Sequence, residues 1–280
     1  MRKDSSNNHT DFLNLTNLRI ARRRSHPTEK KQASEEGNKP HVIFCGGFHS
    51  TMLGNKAAAL ALVCEQEQWR YTRFDYRGHG ESDGKPEAFT LADWLDDVLC
   101  VIDNSEGPIL LVGSSMGGWL ATLAACRRAE TVRGLLLLAA APDFLQELIQ
   151  PRLSASDIWD LKQGNVVLLA NAYADPYPIT QALLDSGSGL SVLSDTDPFA
   201  PSALSALTCP VRMIHGTADT DVPYTLSLRL MERVPHVDAQ CLLMHKADHR
   251  LSDEKALGIT EGILKELGNV MIEAATHSHD

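Results

Sequence analysis

Beyond residue 40 the chain alternates between short apolar runs and longer stretches whose apolar positions recur at helical spacing. The runs are Val42–Cys45, Tyr71–Asp75, Ile109–Val112, Gly134–Ala139, Val211–Ile214 and Ala239–Met244. Most are too uniformly apolar for a half-exposed sheet, so they predict strands buried on both faces. Helices are predicted between them over Lys56–Glu67, Leu91–Asn104, a segment opening at Trp119, Tyr224–Val234 and Lys255–Leu267. Thr90 and Asp93 form a start signal for the second of these, as an N-cap and a first-turn acid should. Strands alternating with helices imply a mostly parallel central sheet with helices on both faces. No period of solenoid length repeats.

The alternation fails in two places. Residues 1–40 are polar, with one apolar interruption that predicts an edge hairpin over 12–24, and Ser25–Pro40 reads as a solvated loop. The segment from about 142 to 207 mixes weak helical stretches with Pro176, Pro178, Pro198 and Pro201. It is too long for a crossover loop and reads as a lid inserted over the sheet. The expected organisation is therefore a polar segment 1–40, a main domain 41–270 containing that lid, and a C-terminal tail 271–280.

Chemistry gathers at the carboxyl ends of strands in sheets of this kind. The run Ile109–Val112 leads into Gly113-Ser114-Ser115-Met116-Gly117-Gly118, a G-x-S-x-G turn between strand and helix. Glycines on either side of Ser115 let the turn tighten where side chains would collide. The hydroxyl is thereby lifted clear of the sheet, and the Met116 N–H at the helix start is aimed at whatever the serine attacks. A serine alcohol needs a general base, and the base needs an acid to fix its tautomer. Strand 211–214 runs into a loop with Asp219, and strand 239–244 runs into a loop with His249. Ser115, Asp219 and His249 are the candidate catalytic residues, in the chain order that such an elbow uses. Asp221 competes with Asp219, which is favoured by its shorter loop. His215 is expected to buttress the Asp219 loop. Gly46-Gly47 after the first strand frees the backbone to present the Phe48 N–H, so Phe48 and Met116 are the candidate oxyanion donors. Candidate substrate contacts are His49, Trp119 and Tyr177. Phe144, Leu145, Leu148, Ile149, Trp159, Tyr173 and Tyr177 either line an acyl channel or pack the lid helices.

A formal net charge of −10 argues against nucleic acid as the main partner. The charge is uneven, because residues 1–40 hold nine Lys/Arg and five Asp/Glu, leaving −14 for the remainder. The basic run Arg22–Arg24 suits a transit peptide or an anionic-surface patch, against which the early acids Asp4 and Asp11 count. There is no apolar h-region at the start and no transmembrane-length apolar stretch, so neither a secretory signal nor a membrane span is expected. Six cysteines without C-x-x-C or Cys/His metal spacing read as reduced thiols of an intracellular protein. No metal and no organic cofactor is expected. The expected location is the cytoplasm, or the mitochondrial matrix for a eukaryotic source.

With these residues placed, a resemblance becomes visible. G-x-S-x-G at 113–117, D-Y-R-G-H-G-x-S at 75–82, H-G-x-x-D-x-x-V-P at 215–223 and D-H-R at 248–250 resemble the α/β-hydrolase superfamily. C-G-G-F-H-S-T-M-x-G-x-K-A at 45–57, V-G-S-S-M-G-G-W at 112–119 and D-H-R-L-S at 248–252 resemble one branch. That branch holds the mitochondrial palmitoyl-protein thioesterase, also described as an acyl-glucuronide esterase, and its bacterial relatives. The similarity runs from about residue 12 to 267 and matches least well over the lid. It implies an α/β-hydrolase fold and a serine hydrolase of acyl thioesters or carboxylic esters, acting on a small acyl substrate or an acylated protein. It also implies the same site, with Ser115 as nucleophile, His249 as base, Asp219 as acid, and Phe48 and Met116 as oxyanion donors. The alternatives are a non-catalytic hydrolase fold that binds an acyl ligand or protein, and an acyltransferase.

Overall fold

In the computed structural model the apolar runs become strands whose side chains alternate between two cores. Residues 9–15, 17–26, 38–171, 176–194 and 204–277 are described. In chain order the elements begin with β1 (Thr10–Leu15), β2 (Leu18–Ser25), β3 (His41–Cys45), α1 (Asn55–Glu67) and β4 (Arg70–Phe74). They continue with α2 (Leu91–Asp103), β5 (Ile109–Ser114), α3 (Met116–Arg127) and β6 (Val132–Leu138). The insert contributes α4 (Ala155–Lys162), β7 (Val167–Leu169), β8 (Tyr177–Ile179) and α5 (Gln181–Ser188). The chain returns to the sheet with β9 (Val211–Gly216), α6 (Thr225–Met231), β10 (Ala239–Met244) and α7 (Glu254–His277).

Eight strands form one sheet in the order β1-β2-β4-β3-β5-β6-β9-β10. The six from β4 to β10 are mutually parallel, and the β1–β2 hairpin adds antiparallel to β4. Val42, Phe44, Leu110, Val112, Leu136 and Leu138 face α1 and α7 on one side. Ile43, Cys45, Ile109, Leu111, Leu135 and Leu137 face α2, α3 and the insert on the other. Both faces are covered, which is why these strands read as unbroken apolar runs. The mostly parallel sheet with helices on both faces is the architecture expected from the pattern.

Three regions depart from expectation or refine it. The last helix does not stop at Leu267 but continues to His277, so residues 271–277 are helix rather than tail. Leu264, Leu267 and Met271 lie on one buried stripe, and Met271 packs against Gly134 of β6. Gly268 looks like a stop signal, yet it sits where a Cβ would strike the Trp69 indole. The basic run in β2 is paired locally with two carboxylates. Arg22 and Arg24 pair with Asp11 at 2.8 and 2.6 Å, and Arg23 pairs with Glu81 at 3.1 Å. The solvated loop expected over Ser25–Pro40 falls mostly at 27–37, outside the described residues.

One side chain ties the start of the insert between β6 and β9 to residues 191–193. Asp143 is buried with φ 55°. Its carboxylate accepts from the Val192 and Leu193 N–H groups at 2.8 and 3.0 Å and from the Ser191 hydroxyl. All six cysteines are free thiols. Among the described residues no helix is long and apolar enough to cross a membrane.

Candidate active site

Ser115 sits between β5 and α3 with φ 55° and ψ −122°, a strained conformation for a residue with a Cβ. Three backbone hydrogen bonds hold it: its N–H donates to Leu138, and its carbonyl accepts from Gly118 and Ala141, at 2.9 to 3.0 Å. The flanking glycines are needed for close approach. A Cβ on Gly113 would enter the Gly117–Gly118 backbone, and one on Gly117 would strike the carbonyls of Cys45 and Gly46. The elbow therefore closes against the loop that leaves β3. A Cβ on Gly47 would lie 3.2 Å from that of Ser115.

The three strand-end residues come together. His249 Nε2 lies 3.1 Å from Ser115 Oγ, and His249 Nδ1 lies 2.7 Å from Asp219 Oδ2. With Asp221 close by, Asp219 is the carboxylate hydrogen-bonded to the imidazole at Nδ1. Its other oxygen accepts the N–H groups of Asp221 and Val222 at 2.9 and 2.8 Å. His215 donates a second hydrogen bond to Oδ2 at 3.0 Å, with Val222 O 2.9 Å from the same nitrogen. The other His215 nitrogen faces the Ser227 hydroxyl at 2.7 Å, so a neutral ring protonated at Nε2 satisfies every partner. Burial opposes ionisation of Asp219, but the hydrogen bonds from His215 and His249 outweigh it and hold the carboxyl well below the usual range.

Asp219, Asp221 and His249 are close enough to suggest a cation site. The Asp219 lone pairs are already occupied by four donors, so the cluster fits a base-orienting acid better than a metal ligand set.

Two loops flank the serine. Met116 is the first residue of α3, where a helix leaves its N–H without an internal partner. Phe48 follows Gly47 along Ser115, and its ring packs against Tyr177, Trp94 and Phe144 at centroid distances of 4.9, 5.5 and 5.9 Å. A cleft of about 970 Å³ opens over Ser115 and His249, lined by Phe48, His49, Phe144, Leu148, Ile149 and Tyr177 among others.

His49 and Tyr177 thus line the cleft, but Trp119 does not. Its indole is completely buried, donates to the Leu190 carbonyl at 2.9 Å and stands edge-on to Phe144. It braces α3 against the insert, and Phe144, which it touches, is the residue of the pair that lines the cleft. Trp159 is 61% exposed on the outer surface of the insert, while Leu145 is buried in its core. Tyr173 lies outside the described residues.

Two supporting groups escaped the sequence reading. Asp75 accepts the N–H groups of Met52 and Glu81 at 2.6 and 2.9 Å, binding the Phe48 loop to the glycine-rich turn after β4. Lys56 of α1 reaches the loop that carries His249.

A family model described as the alpha/beta hydrolase family matches residues 42–260. The chain belongs to that family. Bovine mitochondrial palmitoyl-protein thioesterase ABHD10 is similar to this hydrolase at 34% identity over 222 residues, 78% of this chain and 70% of its own length. The solved structure of mouse alpha/beta hydrolase domain-containing protein 10 is similar with a TM-score of 0.78 and 29% identity, covering 94% of this hydrolase and 99% of the mouse chain. A bacterial protein from Agrobacterium vitis, described as a hydrolase, has a TM-score of 0.81 at 29% identity, covering 92% and 97% of the two chains.

Proposed function

We propose that this hydrolase cleaves acyl thioesters and carboxylic esters through a covalent acyl-enzyme on Ser115. The observation that carries the proposal is the unbroken chain Ser115 Oγ, His249, Asp219, at 3.1 and 2.7 Å. As Ser115 Oγ attacks the acyl carbonyl carbon, its proton passes to His249 Nε2. Asp219 holds Nδ1–H and balances the charge that develops on the ring. The carbonyl oxygen becomes an oxyanion received by the N–H groups of Phe48 and Met116. Collapse expels the thiolate or alkoxide, which takes the proton from His249. Water, deprotonated by the same imidazole, then hydrolyses the acyl-enzyme. No step calls for a metal or organic cofactor.

The insert-lined end of the cleft offers Phe144, Leu148, Ile149 and Tyr177 to an acyl chain. Together with the names of the relatives, it favours a long-chain acyl group, including one carried on a protein. The mitochondrial relatives favour that compartment for a eukaryotic source, with the cytoplasm as the reading for a bacterial one. The segment 142–207 acts as the lid that selects the chain.

The test is turnover of p-nitrophenyl acyl esters and acyl thioesters. Ser115→Ala should lose roughly 10⁴-fold or more in kcat, because the triad acts as a unit. Retention of most activity, or no fluorophosphonate labelling of the native protein, would overturn the mechanism. A sharp optimum at acetyl in a series up to palmitoyl would remove depalmitoylation while leaving the hydrolase intact.

A further inference from the structure

Lys56 places a positive charge where the fold disfavours one. It is the second residue of α1, whose N-cap is Gly54 with no side-chain cap and whose first turn holds no acid. The peptide dipoles make that end of a helix positive, so an acid would be stabilised there and a lysine repelled. A lysine with no other task would swing its ammonium into water. Instead Lys56 Nζ donates to the carbonyl of Arg250 at 2.6 Å, across 194 residues of sequence. Burial pushes the ammonium down to about 8, against the pull of the Asp248 and Asp219 carboxylates. Such an ammonium still carries its proton at neutral pH.

The loop being held is the one that carries His249. Several of its other hydrogen bonds lie on the β9 side or within itself. Lys246 N–H donates to Thr217 Oγ1 at 2.9 Å, and Ala247 O accepts from Ala218 at 3.0 Å. Asp248 accepts the N–H groups of Arg250 and Leu251 at 3.1 and 3.2 Å, folding the loop on itself. Leu251 is completely buried with φ 45°, which anchors the exit. The Lys56 hydrogen bond ties this loop to α1, beside the apolar packing of Ala247 and Leu251 in the cluster that holds Ala57 and Leu60.

We infer that Lys56 is a positioning residue for the catalytic base. Its ammonium fixes the carbonyl of the residue that follows His249, and so keeps the imidazole within reach of Ser115. The inference rests on the reading of His249 as the base. Reactivity is steeply sensitive to this placement, since a shift of about 1 Å can cost on the order of 10²-fold in rate. Arginine has the reach and the donors to replace the lysine in this task, and methionine keeps the stem without the donor.

The experiment compares Lys56→Met and Lys56→Arg in the full chain, using a neutral p-nitrophenyl ester so that substrate charge plays no part. Lys56→Met should lower kcat by about 10- to 100-fold with KM changed by less than about twofold and the melting temperature held. Lys56→Arg should recover most of that loss. The far-downfield proton resonance of His249 Nδ1–H, read in a Ser115→Ala background that needs no turnover, should broaden or vanish with Lys56→Met and return with Lys56→Arg. If Lys56→Met does not fold, Lys56→Gln, neutral and too short to reach, gives the same reading. The inference fails if Lys56→Met keeps kcat and the resonance, if only KM rises, or if Lys56→Arg behaves like Lys56→Met. An active Ser115→Ala enzyme would instead sink the hydrolase reading itself, whatever Lys56 does.

Discussion

Asp219 is surrounded by four donors, two on each carboxylate oxygen, and that crowding decides what it can do. A carboxylate so satisfied stays ionised and cannot rotate, so its Oδ2 is a fixed acceptor for His249 Nδ1–H. Asp219→Asn keeps the size but offers an amide N–H to one of these positions. The imidazole is then driven toward the tautomer with its proton on the wrong nitrogen. The kcat of this variant should fall by roughly 10⁴-fold, with a loss of about 1–3 kcal/mol in folding stability because the amide nitrogen faces buried N–H donors, as steady-state kinetics and urea unfolding would report. At this scale the sequence was legible where a residue followed a strand by a short loop, which singled out Ser115, Asp219 and His249. It did not reveal what Asp75 and Lys56 do, because both stand inside motifs whose hydrogen-bond partners only the folded loops bring to them. Trp119 stood one helical turn from the serine and so read as a substrate contact, but tertiary packing turned it toward Leu190.

Among the elements, strands buried on both faces were the most visible, because a parallel sheet leaves no polar side to interrupt them. The end of α7 lies beyond Gly268-Asn269, where the helix continues because Met271 is buried against β6, while Gly268 leaves the room that the Trp69 indole needs. The insert was legible only as a break in pattern. Its helices α4 and α5 have eight residues each and its strands three, too short to carry a periodicity or to stand without tertiary contacts. What holds it is specific, and Asp143 is the test. Asp143→Ala leaves the Ser191 hydroxyl and two buried N–H groups without their acceptor and puts alanine at φ 55°. The expected loss is about 2–4 kcal/mol in urea unfolding. Native-state hydrogen exchange should show the Val192 and Leu193 amides losing protection while those of β5 and β6 keep it. Asp143→Asn, which retains an acceptor and tolerates the backbone angle, should lose less.

For the molecule as a whole, loss of stability in acid has an identifiable origin in His41 and His79, two of the buried histidines outside the proposed triad. His41 bridges Glu106 O and Thr72 Oγ1, and His79 stands among Phe48, Tyr76 and Trp94. Burial pushes each imidazole down to about 4. Both stay neutral in the folded protein at a pH where the unfolded chain, with imidazoles near pKa ~6.5, already binds protons. Their stabilising effect is therefore complete above pH ~6.5 and is lost as pH falls toward about 4, at roughly 1.4 kcal/mol per pH unit for each histidine. His79→Phe, which suits the aromatic surroundings, should remove about half of the histidine part of that slope in urea midpoints measured between pH ~4.5 and ~6.5. The order of the site along the chain also bears on when activity can first exist. Ser115 precedes its proposed base by 134 residues, and α7, which covers one face of the sheet, comes later still. At a synthesis rate of roughly 5–20 residues per second, the serine is made about 7–27 s before His249. Throughout that interval Ser115 is an ordinary alcohol on an unfinished sheet, so under the proposed mechanism a growing polypeptide of this hydrolase cannot attack the esters around it until the His249 loop has been made.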